Sequence, residues 1–160
     1  MIGRFAARNF CTIPNKKVGF MGLGNMGFSM MKNLIKNGYK VTAYDISNDA
    51  LELAEKLGAT VAPDVKGATI DQDICFTMLP NTDIVHETRL GSGGIFENAR
   101  EGCLVIDSST ISPIASKKMS EEGEKHGLRV VDAPVSGGVN GALNGTLTFM
   151  VGCKKEYFTE

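Results

Sequence analysis

The sequence contains no tryptophan, two histidines and four widely separated cysteines among 160 residues. His86 and His126 have no Cys or His at ligand spacing and no Cys-x-x-Cys pair occurs, so the residues point to no bound metal and no disulfide framework. Cys75 and Cys103 fall in apolar runs (74–79 and 103–106) and read as small buried hydrophobes; with Cys11 and Cys153 far away, a reducing compartment fits. An excess of either charge is also missing. Seventeen Lys and Arg against eighteen Asp and Glu leave a net charge of −1, which argues against a nucleic-acid partner. No apolar run approaches the roughly 18 to 20 residues of a membrane-spanning helix, so no membrane partner is expected.

Acidic residues are absent before Asp45, and the first residues carry Arg4 and Arg8 among Phe5, Ala6, Ala7 and Phe10. Residues 1–16 therefore resemble a short, Ser-poor mitochondrial transit peptide, with a disordered tail as the other reading. What the chain has in abundance is glycine. Nineteen glycines are about 12% of the residues against a usual ~7%, without a collagen period, so the excess belongs to turns and close backbone approaches.

From Lys17 onward, short β-branched runs alternate with amphipathic segments, the pattern of a parallel sheet with crossover helices. The spacing predicts strands over 17–21, 40–44, 59–62, 74–79, 104–106, 128–131 and 146–151. Helices are predicted over 25–37, 48–57, 82–89 and 113–126. In the first helix Met26, Met30 and Leu34, with Met31 and Ile35 one step round, form an apolar stripe that reads as core packing, and Gly38 is its stop. The stretch Gly91-Ser92-Gly93-Gly94 reads as a loop between two helical pieces. One domain over 17–160 is the economical reading.

Gly22-Leu23-Gly24-Asn25-Met26-Gly27 follows the first strand and opens the first helix. In that context Gly22 permits a tight turn, Gly24 removes a side chain that would block a pyrophosphate from the helix N-terminus, and Gly27 allows close packing on the sheet. The second strand ends at Asp45, close to the ~20-residue distance at which a carboxylate receives the ribose hydroxyls of a dinucleotide. Ile46 and Ser47 follow, with no Arg to meet a 2′-phosphate, so NAD is expected over NADP. A site for S-adenosylmethionine is the smaller rival.

Two more loops leave predicted strands on the same sheet edge: Met78-Leu79-Pro80 and Ser108-Ser109-Thr110. That edge is where open α/β sheets bind ligands, so both loops would line the cofactor, although Thr110 taken alone reads equally well as a cap for the helix at Pro113. A third loop, Asp132-Ala133-Pro134-Val135-Ser136-Gly137-Gly138, sets a hydroxyl beside uncovered backbone amides. It reads as an anion nest suited to a carboxylate, or as a plain Gly-rich turn.

Together, residues 22–38, 78–80, 107–110 and 132–145, ending in Gly145-Thr146-Leu147-Thr148-Phe149-Met150-Val151-Gly152, resemble the β-hydroxyacid dehydrogenases from about Lys17 to the end. The resemblance implies a doubly wound, mostly parallel Rossmann fold. It assigns Gly22, Leu23, Gly24, Asn25, Met26, Gly27, Asp45, Leu79, Pro80 and Thr110 to the nicotinamide dinucleotide, and Ser136, Gly137 and Gly138 to the substrate carboxylate. It implies NAD-dependent oxidation of a small 3-hydroxy acid, of the 3-hydroxyisobutyrate kind formed in valine breakdown, in the mitochondrial matrix or otherwise the cytoplasm.

The family's all-helical C-terminal domain supplies a catalytic Lys and much of the homo-oligomer contact. No Lys of this sequence stands in such a motif, so no catalytic residue is nominated and these residues alone are expected to turn over negligibly. Ile84 stands where family members often carry a polar cofactor contact. His86 and His126 read as solvated. The other readings are a non-catalytic dinucleotide-binding module, and an NADPH-dependent semialdehyde or glyoxylate reductase of the same family, against which Ile46 argues.

Overall fold

The computed structural model describes residues 15–158, so the transit-peptide reading and Cys11 lie essentially outside the described residues. The elements run β1 (Lys17–Met21), α1 (Asn25–Lys36), β2 (Lys40–Tyr44), α2 (Asn48–Lys56), β3 (Thr60–Val61), α3 (Val65–Thr69), β4 (Ile74–Thr77) and α4 (Thr82–Leu90). Then come α5 (Ile95–Asn98), β5 (Leu104–Asp107), α6 (Pro113–Lys125), β6 (Arg129–Asp132), β7 (Val135–Ser136), α7 (Gly138–Asn144) and β8 (Thr148–Phe149).

The first six strands form one sheet in the order β3-β2-β1-β4-β5-β6, every pair parallel. This is the doubly wound Rossmann arrangement expected from the alternation of patterns. The chain winds outward from β1 in one direction through β2 and β3, then in the other through β4, β5 and β6. In sheets of this order ligands bind outside the carboxyl edge where the direction reverses, here between β1 and β4.

β1 lies at the centre, and four of its five residues are buried because it has neighbours on both sides and helices on both faces. Phe20 stacks on Phe76 of β4, ring centroids 5.1 Å apart, in direct register. One face of the sheet is covered by α1 and α2, with Met30 and Met31 buried and Met26, Leu34 and Ile35 packed against the same cluster, as their spacing predicts. The other face packs Met21, Ala68, Cys75, Ile95, Phe96, Val105 and Val130 beneath α3, α5 and α6. Polar side chains start the helices locally: Ser47 accepts from the amide of Ala50, Asp64 from Gly67 and Asn81 from Ile84.

Several expected boundaries move. The strand read over 74–79 stops at Thr77, because beyond Met78 the backbone turns to the next loop: the Leu79 amide donates to Ser109 Oγ at 2.8 Å. β3 keeps only two of the four residues read for it. The segment 146–151 does not join the main sheet. Only Thr148 and Phe149 are strand, paired antiparallel with β7 in a separate small ribbon. The short α3 and α7 carry no clear apolar period and were not expected.

Candidate functional site

The Gly-rich turn after β1 shows three different reasons for three glycines. Gly22 has φ of 98°, its amide donates to the Tyr44 carbonyl, and a Cβ there would sit 2.3 Å from the Met78 carbonyl oxygen. Gly27 is buried, and its Cβ would lie 1.9 Å from the Gly22 carbonyl oxygen, so only glycine lets α1 seat against the turn. Gly24 differs. As N-cap of α1 it is exposed, and a Cβ there would meet nothing within 4 Å. No side chain caps α1 and no acidic residue stands in its first turn, so its leading amides and the positive end of its dipole are left to an external anion. This open cradle fits a pyrophosphate.

Asp45, half-buried just past β2, clamps the same turn. Its Oδ2 accepts from the Leu23 amide at 2.5 Å and its Oδ1 from the Ser47 amide at 2.8 Å. A carboxylate has about four lone-pair sites, so both oxygens keep capacity for the hydroxyls of a ribose. The clamp itself was missed in the sequence, because spacing alone does not show which backbone amides fold back onto a side chain.

Beside Asp45 lies a cleft of about 600 Å³ lined by Tyr44, Ile46, Asn48, Leu51, Val61 and Pro63, within the usual size range of small-ligand sites. Its walls mix polar and apolar surface, and Ile46 stands 92% exposed at the rim.

Across β1, the carboxyl ends of β4 and β5 are in register, Thr77 beside Asp107. The two following loops are stitched together, Leu79 to Ser109 as above and the Ser112 amide to Thr82 Oγ1 at 3.3 Å, while Ser108 Oγ donates to the Ala133 carbonyl in the loop after β6 at 2.8 Å. Leu79 is half-buried, while Pro80 and Thr110 are exposed at the edge. Thr110 does not cap α6. That position is Ser112, and its side chain makes no cap bond.

Beneath these loops sits a charge pair that the sequence reading did not find. Arg89 and Asp107 are both buried, with Arg89 Nη2 at 3.8 Å from Asp107 Oδ2 and 3.4 Å from Thr77 Oγ1. Burial pulls the Arg89 guanidinium below its ordinary range, opposed by the carboxylates of Asp107 and Asp132. The only sequence signal was an Arg in the last turn of a helix, which ordinarily faces solvent.

The Ser136 loop leaves the same edge through β6. Ser136, Gly137 and Gly138 are exposed, and φ of 130° at Gly137 and 60° at Gly138 makes this turn dependent on glycine. α7 then docks on α1, where Ala142 is buried and its carbonyl accepts from Asn33 Nδ2 at 2.6 Å. The Ser136 loop is thus tied to the helix that the glycine turn opens.

Ile84 is 41% exposed and offers only its amide, to the Asn81 cap. His86 and His126 are exposed, the latter 3.9 Å from Glu122. Cys75 and Cys103 are buried as expected, their sulfurs 3.7 Å apart.

Comparison with known proteins gives the family of the chain. Residues 17–160 match the family model described as the NAD binding domain of 6-phosphogluconate dehydrogenase. The human mitochondrial 3-hydroxyisobutyrate dehydrogenase is 43% identical over 157 residues, covering 98% of this chain and 47% of that protein. The 2-(hydroxymethyl)glutarate dehydrogenase of Eubacterium barkeri is 39% identical over 89% of this chain and 47% of its own. Among solved structures, the 3-hydroxyisobutyrate dehydrogenase of Mycobacterium tuberculosis, with L-serine, superposes with a TM-score of 0.85 at 37% identity, over 90% of this chain and 48% of that one. The chain spans about half the length of these relatives.

Proposed function

Since the chain belongs to the family of NAD-binding domains described by that of 6-phosphogluconate dehydrogenase, we propose that residues 17–160 form the cofactor- and carboxylate-binding domain of an NAD-dependent 3-hydroxy-acid dehydrogenase. The substrate is of the 3-hydroxyisobutyrate type, and the setting is valine breakdown in the mitochondrial matrix. The similarity to mitochondrial 3-hydroxyisobutyrate dehydrogenases supports the substrate and the compartment. The observation that carries the reading is the unobstructed first turn of α1 at Gly24, tied by the Leu23–Asp45 bond to the only charged side chain lining the adjoining cleft.

In this reading the leading amides of α1, over Gly22 to Gly27, hold the pyrophosphate, and Asp45 holds the adenosine ribose. Leu79, Pro80 and Thr110 flank the nicotinamide end on the β4–β5 side of the switch point. Ser136 and the amides of Gly137 and Gly138 receive the substrate carboxylate. The bound nicotinamide supplies a hydride acceptor; the residues described here bind and orient the reactants. Alcohol oxidation also requires a group that accepts the hydroxyl proton, worth about 10² to 10⁴ in rate, and none of these residues is assigned that role. Residues 1–160 alone therefore bind cofactor and turn over negligibly.

Asp45 also sets cofactor choice, because its carboxylate repels a 2′-phosphate and Ile46, Ser47 and Asn48 bring no cation to meet one. Titration of the chain with NADH and NADPH, followed by cofactor fluorescence, tests the reading. NADH binding that weakens in Asp45→Ala supports it. Tighter binding of NADPH would move the assignment to a semialdehyde reductase of the same family, and no binding by a folded sample would refute it.

A further inference from the structure

We infer that the buried Arg89–Asp107 pair is a positioning device for the nicotinamide end of the cleft, acting through Ser109 on the backbone of Leu79. The inference rests on the dinucleotide-binding reading above and adds residues to it.

Arg89 closes the last turn of α4, where an arginine ordinarily reaches water, yet it is 1% exposed and turned under the ends of β4 and β5. From it a continuous set of contacts leads to the Leu79 loop. Its Nη2 faces Thr77 Oγ1 and Asp107 Oδ2. Asp107 Oδ1 accepts from Thr77 Oγ1 at 2.9 Å and from the Ser109 amide at 3.0 Å. Ser109, itself 1% exposed, accepts the Leu79 amide on its Oγ. Leu79 and Pro80 on one loop and Thr110 on the other are thereby held at a set separation.

The pair is poorly made as a source of stability. Arg89 Nε and Asp107 Oδ2 are buried without hydrogen-bond partners, and a buried ion pair of incomplete geometry is often no better than apolar residues of the same volume. What it does provide is a buried side chain that accepts from both Thr77 Oγ1 and the Ser109 amide, able to fix the Ser109 backbone and with it the loop-to-loop bond. The Asp45 side of the cleft has its own clamp, so the two halves of the site are held separately.

That separation makes the inference testable with two probes, NADH and ADP-ribose, the second lacking the nicotinamide. Ser109→Ala removes only the last link and leaves the charge pair intact. It should weaken NADH by about three- to tenfold while ADP-ribose stays within about twofold. Arg89→Met should show the same selective loss, and adding Asp107→Asn to it should restore the ratio, because the amide oxygen still accepts from Ser109 without a charge to compensate. Should Arg89→Met fail to fold, Arg89→Lys, which keeps a cation but shortens its reach to Asp107, takes its place, and equal weakening of both probes by the Arg89 variant, or of neither, overturns the role of the pair. Equal weakening of both probes by Ser109→Ala, or of neither, overturns the positioning role while the dinucleotide reading stands. An unmodified chain that binds neither probe overturns both.

Discussion

Replacing Gly24 with serine should move stability and cofactor binding in opposite directions. The position has φ of −63°, which any residue adopts, and open space where a Cβ would go. As N-cap of α1 a serine hydroxyl can accept from an amide of the first turn, a few tenths of a kcal/mol better than glycine, and the loss of glycine freedom in the unfolded chain adds about 0.4 to 1 kcal/mol. The sum, about 0.6 to 1.3 kcal/mol, raises the melting temperature of a domain this size by about 1 to 5 °C. The same hydroxyl occupies an amide that the pyrophosphate requires. Losing one hydrogen bond to a charged group costs about 1.5 to 3 kcal/mol, so NADH should bind about 10- to 150-fold more weakly.

Gly27→Ala is the contrasting variant. Its Cβ would press to 1.9 Å on the Gly22 carbonyl oxygen, a backbone atom that cannot swing aside, and overpacking of this kind costs about 1 to 3 kcal/mol or more. Thermal unfolding by circular dichroism and NADH fluorescence titration on both variants provide the check. If Gly24→Ser melts lower than the parent, or binds NADH as tightly, the cradle is not where the geometry places it.

Other consequences are as direct. Phe20→Ala removes a fully buried ring stacked on Phe76 and should cost about 3 to 5 kcal/mol in chemical denaturation, enough to leave the domain marginal. Asp64→Ala deletes the cap of α3 and should cost about 0.5 to 2 kcal/mol in chemical denaturation. Cys75 and Cys103 should resist iodoacetamide in the native state while half-buried Cys153 reacts, as read by mass spectrometry. The hydrogen bond shared with Cys103 and burial together hold the Cys75 thiol well above its ordinary range, and alkylation requires the thiolate; the same bond lowers Cys103, which is protected by its complete burial. Residues 1–16 fused to a fluorescent protein should carry it to mitochondria, and a cytosolic signal would remove the transit-peptide reading.

Much of the architecture is local in origin and therefore legible in the linear order of residues. β1, α1 and β2 are each self-declared by period and punctuation: an unbroken apolar run, a Met and Leu stripe at helical spacing, and glycines at the turns. The Gly22, Gly24 and Gly27 pattern and Asp45 are likewise fixed by distances along one βαβ unit, in which the connection leaves few ways to fold. The sheet's parallel character followed from alternation alone.

What tertiary structure decided are the features whose partners lie far along the chain. α7 contains two glycines and two asparagines and has little intrinsic reason to be a helix. It forms because Ala142 packs into the α1 cluster and its carbonyl meets Asn33. β7 and β8 are two residues each, too short to show a period, and exist by pairing with one another. The inward turn of Arg89 depends on Asp107 at the end of a different strand, and the Asp45 clamp on amides of a loop that closes only when β1 and β2 lie side by side. Patterns along the chain determine which segments can be buried; which buried charge meets which, and which loops are tied together, is settled only when distant strands share an edge.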